Sequence, residues 1–475
     1  MPLKAQTMEG VSRAVISHDP MRPEDQSNLN PRLGPRGEAP RAGAGEAEAR
    51  AALTCLERPA VVGPSMERIV ARENLKKALD RVKRNKGAAG VDGMTVDDLP
   101  TYLKANWLTI RAQLLDGTYK PQAVRRVEIP KASGGVRLLG IPTVVDRFIQ
   151  QAVLQVLQGE WDRTFSDASY GFRPGRSAHQ AVTKAQAYIA SRHRIVVDID
   201  LEKFFDRVNH DILMGLVAKR VADKRLLKLI RGFLTAGVLE GGLVSPTEEG
   251  APQGGPLSPL LSNLMLDVLD KELERRGHRF VRYADDCNIY VRSRKAGERV
   301  MASIETFLER CLKLKVNRAK SAVARPNHRK ILGFSFTQGR KPRRRIAPEA
   351  IARCKARVRE LTGRQSGRSL AQIIERLSLY LKGWRGYFGF CETPSVLRKL
   401  DEWIRRRLRA VVWTQWKHGR TRFDELQRCG VGRELALKTA GNPRGPWRLA
   451  NSAGLTMALP NVFFASRGLP YLAPR

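Results

Sequence analysis

The sequence has 475 residues, which is long enough for two or three domains with a sizeable buried core. It contains 85 Lys and Arg against 47 Asp and Glu, giving a formal net charge of +38. Such a charge repels itself unless a polyanion neutralises it, so nucleic acid is favoured as the partner over an anionic membrane surface. No stretch approaches the roughly 18 continuous apolar residues that span a bilayer, so we expect no membrane partner.

The cysteines are scattered, and none forms a Cys-x-x-Cys pair that could anchor zinc. We interpret them as reduced packing residues, which indicates a cytoplasmic protein without a zinc finger or a zinc-dependent nuclease domain. They are Cys55, Cys287, Cys311, Cys354, Cys391 and Cys429.

Composition divides the chain into four segments. Residues 1–63 are rich in Ala, Arg, Pro, Gly and Glu and are expected to be flexible. Over 64–340, short β-branched runs alternate with amphipathic stretches, which predicts a domain of mixed helices and strands. Residues 341–420 contain 21 Lys and Arg against 6 Asp and Glu on a helical pattern with interleaved aromatics, which predicts a basic helical domain. Residues 421–475 are too short for a large independent core.

The first helix is predicted to begin just after Ser65, which would act as its N-cap, with Glu67 in the first turn. Apolar residues then recur at near-helical spacing, so the folded core is expected to start here. They are Met66, Ile69, Val70, Leu75, Ala78, Leu79 and Val82.

The first acidic motif lies within residues 195–206, where a β-branched run ends in Asp198 and Asp200. Because side chains alternate along a strand, these two acids should share one face of its end. Capping of a following helix, or plain solvation, explains this segment equally well on its own.

The second acidic motif places Asp285 and Asp286 between two apolar, strand-like flanks in residues 280–291, as a tight β-hairpin would. Aspartates at a hairpin tip are often only turn formers, but flanks this apolar should hold the tip against the core. If Asp200 meets the tip, carboxylates about 4 Å apart repel by roughly 4 kcal/mol at an effective dielectric near 20. Such an arrangement requires a cation, and Mg²⁺ with its preference for oxygen ligands suits it.

Residues 283–286, Tyr-Ala-Asp-Asp, match the catalytic box of reverse transcriptases, and further blocks in family order resemble the reverse transcriptases of bacterial group II introns. The resemblance implies an α+β right-hand polymerase, with fingers and palm in 64–340 and a helical thumb or maturase domain in 341–420. The other blocks are residues 85–93, 129–137, 170–177, 195–206, 250–259, 332–334 and 380–388.

The resemblance implies that Asp200, Asp285 and Asp286 are the catalytic acids and metal ligands, with Leu201 also at the metal site. Asp198 lies one step too early for a direct ligand and is expected to support the others. The cofactor would be two Mg²⁺ ions, with Mn²⁺ as an alternative.

The resemblance also implies a nucleotide site. Lys131 and Arg137 would meet the triphosphate, and Phe205 would form the floor of the sugar pocket, where its ring excludes a ribose 2′-hydroxyl. Gln253 would reach toward the base pair from the loop 250–259, in which Ala251 stands where the family usually has threonine. A surface charge pair, a core phenylalanine and an ordinary turn are the alternatives.

Nucleic-acid contacts are expected from basic and aromatic residues, because phosphates attract cations and rings stack on bases. A solvated charged face is the alternative, and each aromatic is individually more often core. The predicted contacts are Arg173, Arg176, Lys382, Trp384, Arg385, Arg405, Arg406 and Arg407.

Residues 445–470 resemble the short tail of class C group II proteins that lack the endonuclease domain, which implies no cutting of DNA strands. The implied function is RNA-directed DNA synthesis together with maturase assistance of intron splicing, and intron mobility by target-primed reverse transcription. Its partners would be the intron RNA, a DNA target and primer, and deoxynucleotides. Retron, diversity-generating, CRISPR-associated and defence-type reverse transcriptases remain alternatives, as does an RNA-binding splicing factor without polymerase activity.

Overall fold

The computed structural model describes residues 63–130, 136–240, 243–245, 249–363 and 367–474, and only the backbone of Arg137 and Leu243. The predicted flexible segment lies outside these residues except for Gly63. The helices are α1 Met66–Ile69, α2 Arg72–Asn85, α3 Leu99–Leu115, α4 Val144–Trp161, α5 Ala178–Ala190, α6 His210–Ala218, α7 Lys224–Thr235, α8 Ser258–Arg275, α9 Arg294–Phe307, α10 Pro348–Leu361, α11 Leu370–Phe388, α12 Pro394–Gln415, α13 Gly419–Arg428, α14 Arg433–Ala440, α15 Pro446–Leu449, α16 Ala453–Ala458 and α17 Asn461–Ser466. The strands are β1 Val124–Pro130, β2 Val136–Ile141, β3 Ile195–Ile199, β4 Val238–Glu240, β5 Leu243–Ser245, β6 Arg279–Tyr283, β7 Asp286–Val291, β8 Ala322–Ala324, β9 Phe334–Phe336 and β10 Arg344–Ile346.

The chain enters the fold through two helices rather than one, because α1 ends at Ile69 and α2 begins at Arg72. The predicted cap at Ser65 is wrong in detail, since its side chain makes no capping hydrogen bond. The backbone N–H of Met66 donates instead to Asp223 Oδ2, at 2.9 Å. Asp223 also caps α7, so one distant carboxylate fixes both helix starts.

The first sheet has the order β2-β1-β4-β5, with β1 antiparallel to β2 and parallel to β4. The second sheet, which bears the acidic motifs, has the order β6-β7-β3-β8 and is antiparallel throughout. Alternate residues of its strands enter different hydrophobic clusters, as Val196 and Val197 do. Helix α5 packs against β6 and β7, and α9 packs against β3 and β8. The sheet is therefore covered on both faces, which explains its near-continuous apolar strands.

Helices α10 to α12 share one hydrophobic core with the segment after residue 420, from Leu426 to Ala473. The C-terminal segment is thus packed onto the basic helices. A further cluster of aromatics, including Phe334, Tyr387 and Phe388, joins this helical region to α5 and the second sheet. The architecture is the predicted α+β fold with a helical C-terminal region.

Within the described ranges, no helix is both long enough and apolar enough to cross a membrane. The five cysteines there are free thiols, and Cys287 and Cys354 are buried.

Candidate active site

The predicted acidic hairpin is present. Strands β6 and β7 pair from Arg279 opposite Tyr290 to Tyr283 opposite Asp286, which leaves Ala284 and Asp285 as a two-residue turn. Ala284 has a φ of +57°, a left-handed conformation that costs a non-glycine residue roughly 1–2 kcal/mol. Asp285 therefore lies at the apex of the turn, and Asp286 is the first residue of β7.

Asp200 lies beside this tip. Strand β3 pairs with β7 up to Ile199 opposite Cys287, so the next residue, Asp200, reaches the level of Asp286. Its backbone is fixed on the other side, because its N–H donates to Ser321 Oγ at 2.9 Å and its carbonyl accepts from the N–H of Asn317 at 2.8 Å. The structure thus brings together the three acids that were predicted from separate motifs.

The carboxylates influence one another electrostatically. Asp286 is exposed, yet the surrounding protein removes part of its hydration. This desolvation, and next the negative charges of Asp285, Asp198 and Asp200, raise the pKa of Asp286 to about 7. Lys320 brings a positive charge within 3.7 Å of Asp200 Oδ1. A carboxyl whose ionisation is opposed by its neighbours would be stabilised as an anion by a bound cation.

The residues present offer ligand atoms of the kind that a divalent metal ion prefers. Within the described residues no three His, Cys, Asp or Glu side chains converge as a preformed metal cluster. The donors available at this position are all oxygens, which suits a hard cation. Leu201 can add its backbone carbonyl oxygen to these donors. Its side chain is buried, and among the described residues its carbonyl accepts no hydrogen bond. The Asp200 carbonyl, by contrast, already accepts one.

Asp198 is occupied by protein partners. Its Oδ1 accepts from Asn288 Nδ2 at 2.7 Å, and its Oδ2 pairs with the Arg329 guanidinium at 2.5 Å. Burial raises the pKa of Asp198 despite these partners. Both oxygens are engaged, so the side chain is placed to orient β3 and β7.

A fully buried arginine supports the hairpin from within the fold. Arg282 and Asp270 are both 0% exposed at the side chain and form an ion pair at 2.6 Å. Arg282 Nη1 also donates to the carbonyl of Ala284 at 2.9 Å and to Asn263 Oδ1 at 3.0 Å. Asn263 in turn donates to the carbonyl of Gly171 at 2.9 Å. This group, which we call the hairpin brace, ties the acidic turn to α8 and to the loop around Gly171.

The loop 169–173 lies directly against the turn. A Cβ on Gly171 would come within 2.3 Å of the Ala284 nitrogen, so only glycine fits there. The next residue, Phe172, has a φ of +58° and is 49% exposed. Strain in an exposed aromatic beside a catalytic turn is typical of a functional position. Sequence reasoning missed Phe172, although its place between Gly171 and Arg173 in a family motif was a signal.

Arg173 was predicted to contact nucleic acid, and the structure places its guanidinium among protein groups. The residue is 8% exposed, and its guanidinium is held by the carbonyls of Ser166 and Ser169 and by Asp162. It anchors the loop that presents Phe172. Arg176 is more accessible and pairs with Asp167 at 2.6 Å.

The nucleotide-site residues that the structure describes lie together. The N–H of Ala251 donates to the carbonyl of Phe205 at 2.7 Å, and the carbonyl of Gln253 accepts from Gly140 in β2. Phe205 and Gln253 are partly exposed, whereas Phe204 is 2% exposed and belongs to the core. Lys131 and the Arg137 side chain lie outside the described residues, although β1 and β2, which flank this position in sequence, pair as antiparallel strands.

The thumb residues divide into exposed and packed ones. On α11, Lys382 and Arg385 are exposed, but Trp384 is 8% exposed and packs against Phe388 in a tilted arrangement with ring centroids 4.8 Å apart. The Trp384 ring is therefore part of the core, and its contact with nucleic acid stays a prediction.

The arginines of α12 bind the chain itself. Arg405 is 1% exposed, pairs with Asp401 at 2.9 Å and lies over the Tyr471 ring, so its guanidinium contacts protein groups in this structure, and its RNA contact stays a prediction. Arg406 is half-buried and donates to the Trp447 carbonyl, and Arg407 is half-buried and donates to Thr362. These contacts hold the C-terminal segment and the end of α10 against α12.

With an acidic hairpin on an antiparallel sheet and a basic helical region after it, the molecule has the parts of a template-directed polymerase. Residues 129–336 match the reverse transcriptase (RNA-dependent DNA polymerase) family, and residues 351–430 match the group II intron maturase-specific domain. The chain is 35% identical to protein YkfC of Escherichia coli over 301 residues, which covers 55% of this chain and 78% of YkfC.

Other relatives are named for introns. The chain is 40% identical to the group II intron-encoded protein LtrA of Lactococcus lactis over 195 residues, covering 41% of this chain and 32% of LtrA. It is 29% identical to the putative COX1/OXI3 intron 2 protein of Saccharomyces cerevisiae over 260 residues, covering 54% of this chain and 29% of that protein. The chain belongs to the reverse transcriptases that carry a group II intron maturase domain, a family that acts on nucleic acids and uses divalent metal ions.

Proposed function

We propose that this protein copies RNA into DNA with two Mg²⁺ ions, held by Asp200, Asp285 and the Leu201 carbonyl, with Asp286 beside them. The proposal is supported above all by the strand pairing, which places Asp200 at the level of Asp286, next to the turn that holds Asp285. When bound, such ions supply activation of the primer 3′-hydroxyl and neutralisation of the leaving pyrophosphate, and Mn²⁺ is an alternative. The hairpin brace keeps the turn in place while nucleic acid moves past it.

The nucleotide would be held by the protein on three sides. Lys131 and Arg137 would meet the triphosphate, for which arginine's planar fork is suited. Phe205 would lie under the sugar and clash with a ribose 2′-hydroxyl. The backbone contact between Ala251 and Phe205 links the sugar pocket to the loop of Gln253, which would approach the base pair.

The primer and template would meet exposed groups near the turn and on the thumb. Phe172 offers a ring for packing against a base or sugar, which is worth roughly 1–3 kcal/mol per base. Lys382 and Arg385 are free to meet phosphates. Arg176, Arg406 and Arg407 retain some exposed surface for the same purpose.

We also infer that the protein binds its group II intron RNA and assists splicing in the bacterial cytoplasm. Splicing chemistry in such an intron belongs to the RNA, so the protein need only bind the folded form better than unfolded forms. DNA synthesis primed at a DNA target would then return the intron sequence to DNA.

Primer extension on an RNA template tests the polymerase. Asp285→Ala and Asp200→Ala should each lower extension by at least about 10³-fold, because each removes several kcal/mol of charge stabilisation from the reacting centre. Asp211→Ala, at an exposed acid outside the site, is the matched control. Near-normal extension by either active-site variant would contradict the assignment.

A double variant separates DNA synthesis from assistance of intron splicing. Asp285→Ala/Asp286→Ala should leave protein-assisted splicing at low Mg²⁺ within about threefold of wild type, a change of under 1 kcal/mol. Loss of both activities by a variant that keeps its circular dichroism spectrum would show that they share one site.

A further inference from the structure

A groove of about 710 Å³ opens at the end of the β6–β7 hairpin that lies away from the aspartates. Among the described residues, no Asp or Glu lines it, and half of its lining is basic. The basic residues are His193, Arg276, His278, Arg279, Arg292 and Arg299.

The arginines reach this groove from separate elements. Arg276 follows α8, Arg279 begins β6, Arg292 follows β7, and Arg299 lies on α9. Arg276 is paired with Glu272 at 2.6 Å. The other three are exposed and form no ion pair within the described parts of the chain. Gathering like charges around one concavity opposes folding, and a bound polyanion would offset that repulsion.

The groove offers charge with little surface for stacking. The only Phe, Tyr or Trp among its described lining residues, Tyr290, is 2% exposed, and the imidazoles of His193 and His278 are partly buried. Burial and the Arg276 charge lower the pKa of His278, so this ring adds little positive charge at neutral pH. Single-stranded nucleic acids are usually held by rings that stack on unpaired bases. Cations without rings suit the phosphates of a duplex, whose bases are already paired.

The groove is separate from the catalytic acids. Arg279 lies opposite Tyr290 at one end of the hairpin, and Tyr283 lies opposite Asp286 at the other. Four residues of strand at about 3.3 Å each place the two ends roughly 13 Å apart.

We propose that this groove binds the sugar–phosphate backbone of a nucleic-acid duplex away from the primer terminus, with Arg279, Arg292 and Arg299 each meeting a phosphate. The proposal rests on the proposed function in that the partner is the nucleic acid on which the protein acts. Helical RNA and double-stranded DNA share this chemistry, and the experiment distinguishes them.

The test compares two triple variants that remove the same charge. Arg279→Gln/Arg292→Gln/Arg299→Gln changes the groove. The control, Arg163→Gln/Arg310→Gln/Arg340→Gln, changes exposed arginines outside it. Affinity for a blunt RNA duplex and a DNA duplex of the same sequence is measured between about 50 and 200 mM salt. Losing three phosphate contacts should make the slope of log affinity against log salt shallower by roughly 2–3 for the groove variant, and by less than 1 for the control.

A shallower salt slope for the groove variant with only the RNA duplex, or only the DNA duplex, supports the proposal and identifies which duplex supplies the phosphates. Equal changes in both variants, or none, would overturn it. Loss of binding to phosphatidylserine vesicles with unchanged duplex binding would overturn it in favour of a membrane. Extension of a short primed template should be normal in the groove variant. Failure of the wild-type protein to extend a primer would count against the proposed function and leave the duplex result to decide the groove.

Discussion

In the palm, Arg282 lies beneath the acidic hairpin with its charge matched by Asp270. In the helical C-terminal region, Arg405 lies under the C-terminal segment with its charge matched by Asp401. Both arginines are almost fully buried, and the described contacts of both are with protein groups. They differ in how completely their donors are used, and that difference bears on what each region can do.

Each guanidinium nitrogen of Arg282 donates a hydrogen bond to Asp270, Asn263 or Ala284. Arg405 uses only Nη1, while its Nε and Nη2 have no hydrogen-bond partner among the described residues and the Tyr471 ring lies 4.0 Å away. A fully satisfied buried network specifies one geometry, whereas a partly satisfied one is weaker. The comparison therefore indicates that the hairpin turn is held by a fully satisfied network, whereas the Arg405 guanidinium is held by one hydrogen-bonding nitrogen and a ring contact.

The largest expected effect comes from the hairpin brace. Arg282→Met leaves Asp270 buried without its partner, so we expect unfolding free energy to fall by about 3–5 kcal/mol. Arg282→Met/Asp270→Leu removes both charges and should recover most of that stability. The carbonyl of Ala284 remains unsupported in the double variant, so kcat should stay about 10²-fold low. Denaturant unfolding and steady-state extension measure the two quantities. A stable double variant with normal kcat would show that Arg282 is only structural.

The sugar pocket gives the next effect. Phe205→Val should admit ribonucleotides, lowering discrimination by roughly 10–100-fold, since steric differences of this size are worth about 1–3 kcal/mol. Phe204→Leu is the control, because that neighbouring ring is 2% exposed and belongs to the core. It should cost stability without changing discrimination. Competition between a deoxynucleotide and its ribonucleotide decides the matter, and unchanged selection in Phe205→Val would contradict the assignment.

The thumb can be tested by a crossed pair of variants. Arg405→Met removes the ion-pair partner of the buried Asp401 carboxylate, which keeps the backbone N–H groups of Leu472 and Ala473 as hydrogen-bond donors. The variant should lower unfolding free energy by about 3 kcal/mol and should not change the salt dependence of RNA binding. Lys382→Gln/Arg385→Gln should leave the melting temperature unchanged and make the salt slope shallower by roughly 2. If Arg405→Met alone reduced the salt slope, its guanidinium would have to reach RNA in a different conformation.

These regions also differ in what their sequences could reveal. The acidic hairpin was predictable because strand alternation and a two-residue turn are local, and β3 then brings Asp200 to the turn. The roles of Arg173 and Arg405 were not predictable from composition. Whether a basic side chain faces solvent depends on which helix face or loop side meets a distant segment, such as Tyr471 for Arg405. A run of arginines in a sequence shows that the segment is positively charged, but it does not show which of the side chains will face solvent.

The N-terminal helix shows the same limit at another site. Ser65 has the right residue type for a cap, but the acceptor is Asp223, which is 158 positions away from it along the chain. Local propensity predicted where the helix starts. The tertiary contact determined which group satisfies its first N–H.

The smallest effect separates the ring of Phe172 from its backbone. Phe172→Ala removes the exposed aromatic surface and keeps a side chain at a φ of +58°, so KM for the primed template should rise about tenfold with little change in kcat. Phe172→Gly removes the same ring but relieves the left-handed strain, so it should be more stable than Phe172→Ala by roughly 1 kcal/mol. Both variants should nevertheless lose template affinity equally, and Phe172→Trp should keep it. If Phe172→Ala, which keeps a side chain at this positive φ but lacks the ring, bound template as tightly as wild type, the backbone conformation rather than the ring would be what the loop supplies. Phe172 would then serve only to shape the contact between Gly171 and the acidic turn.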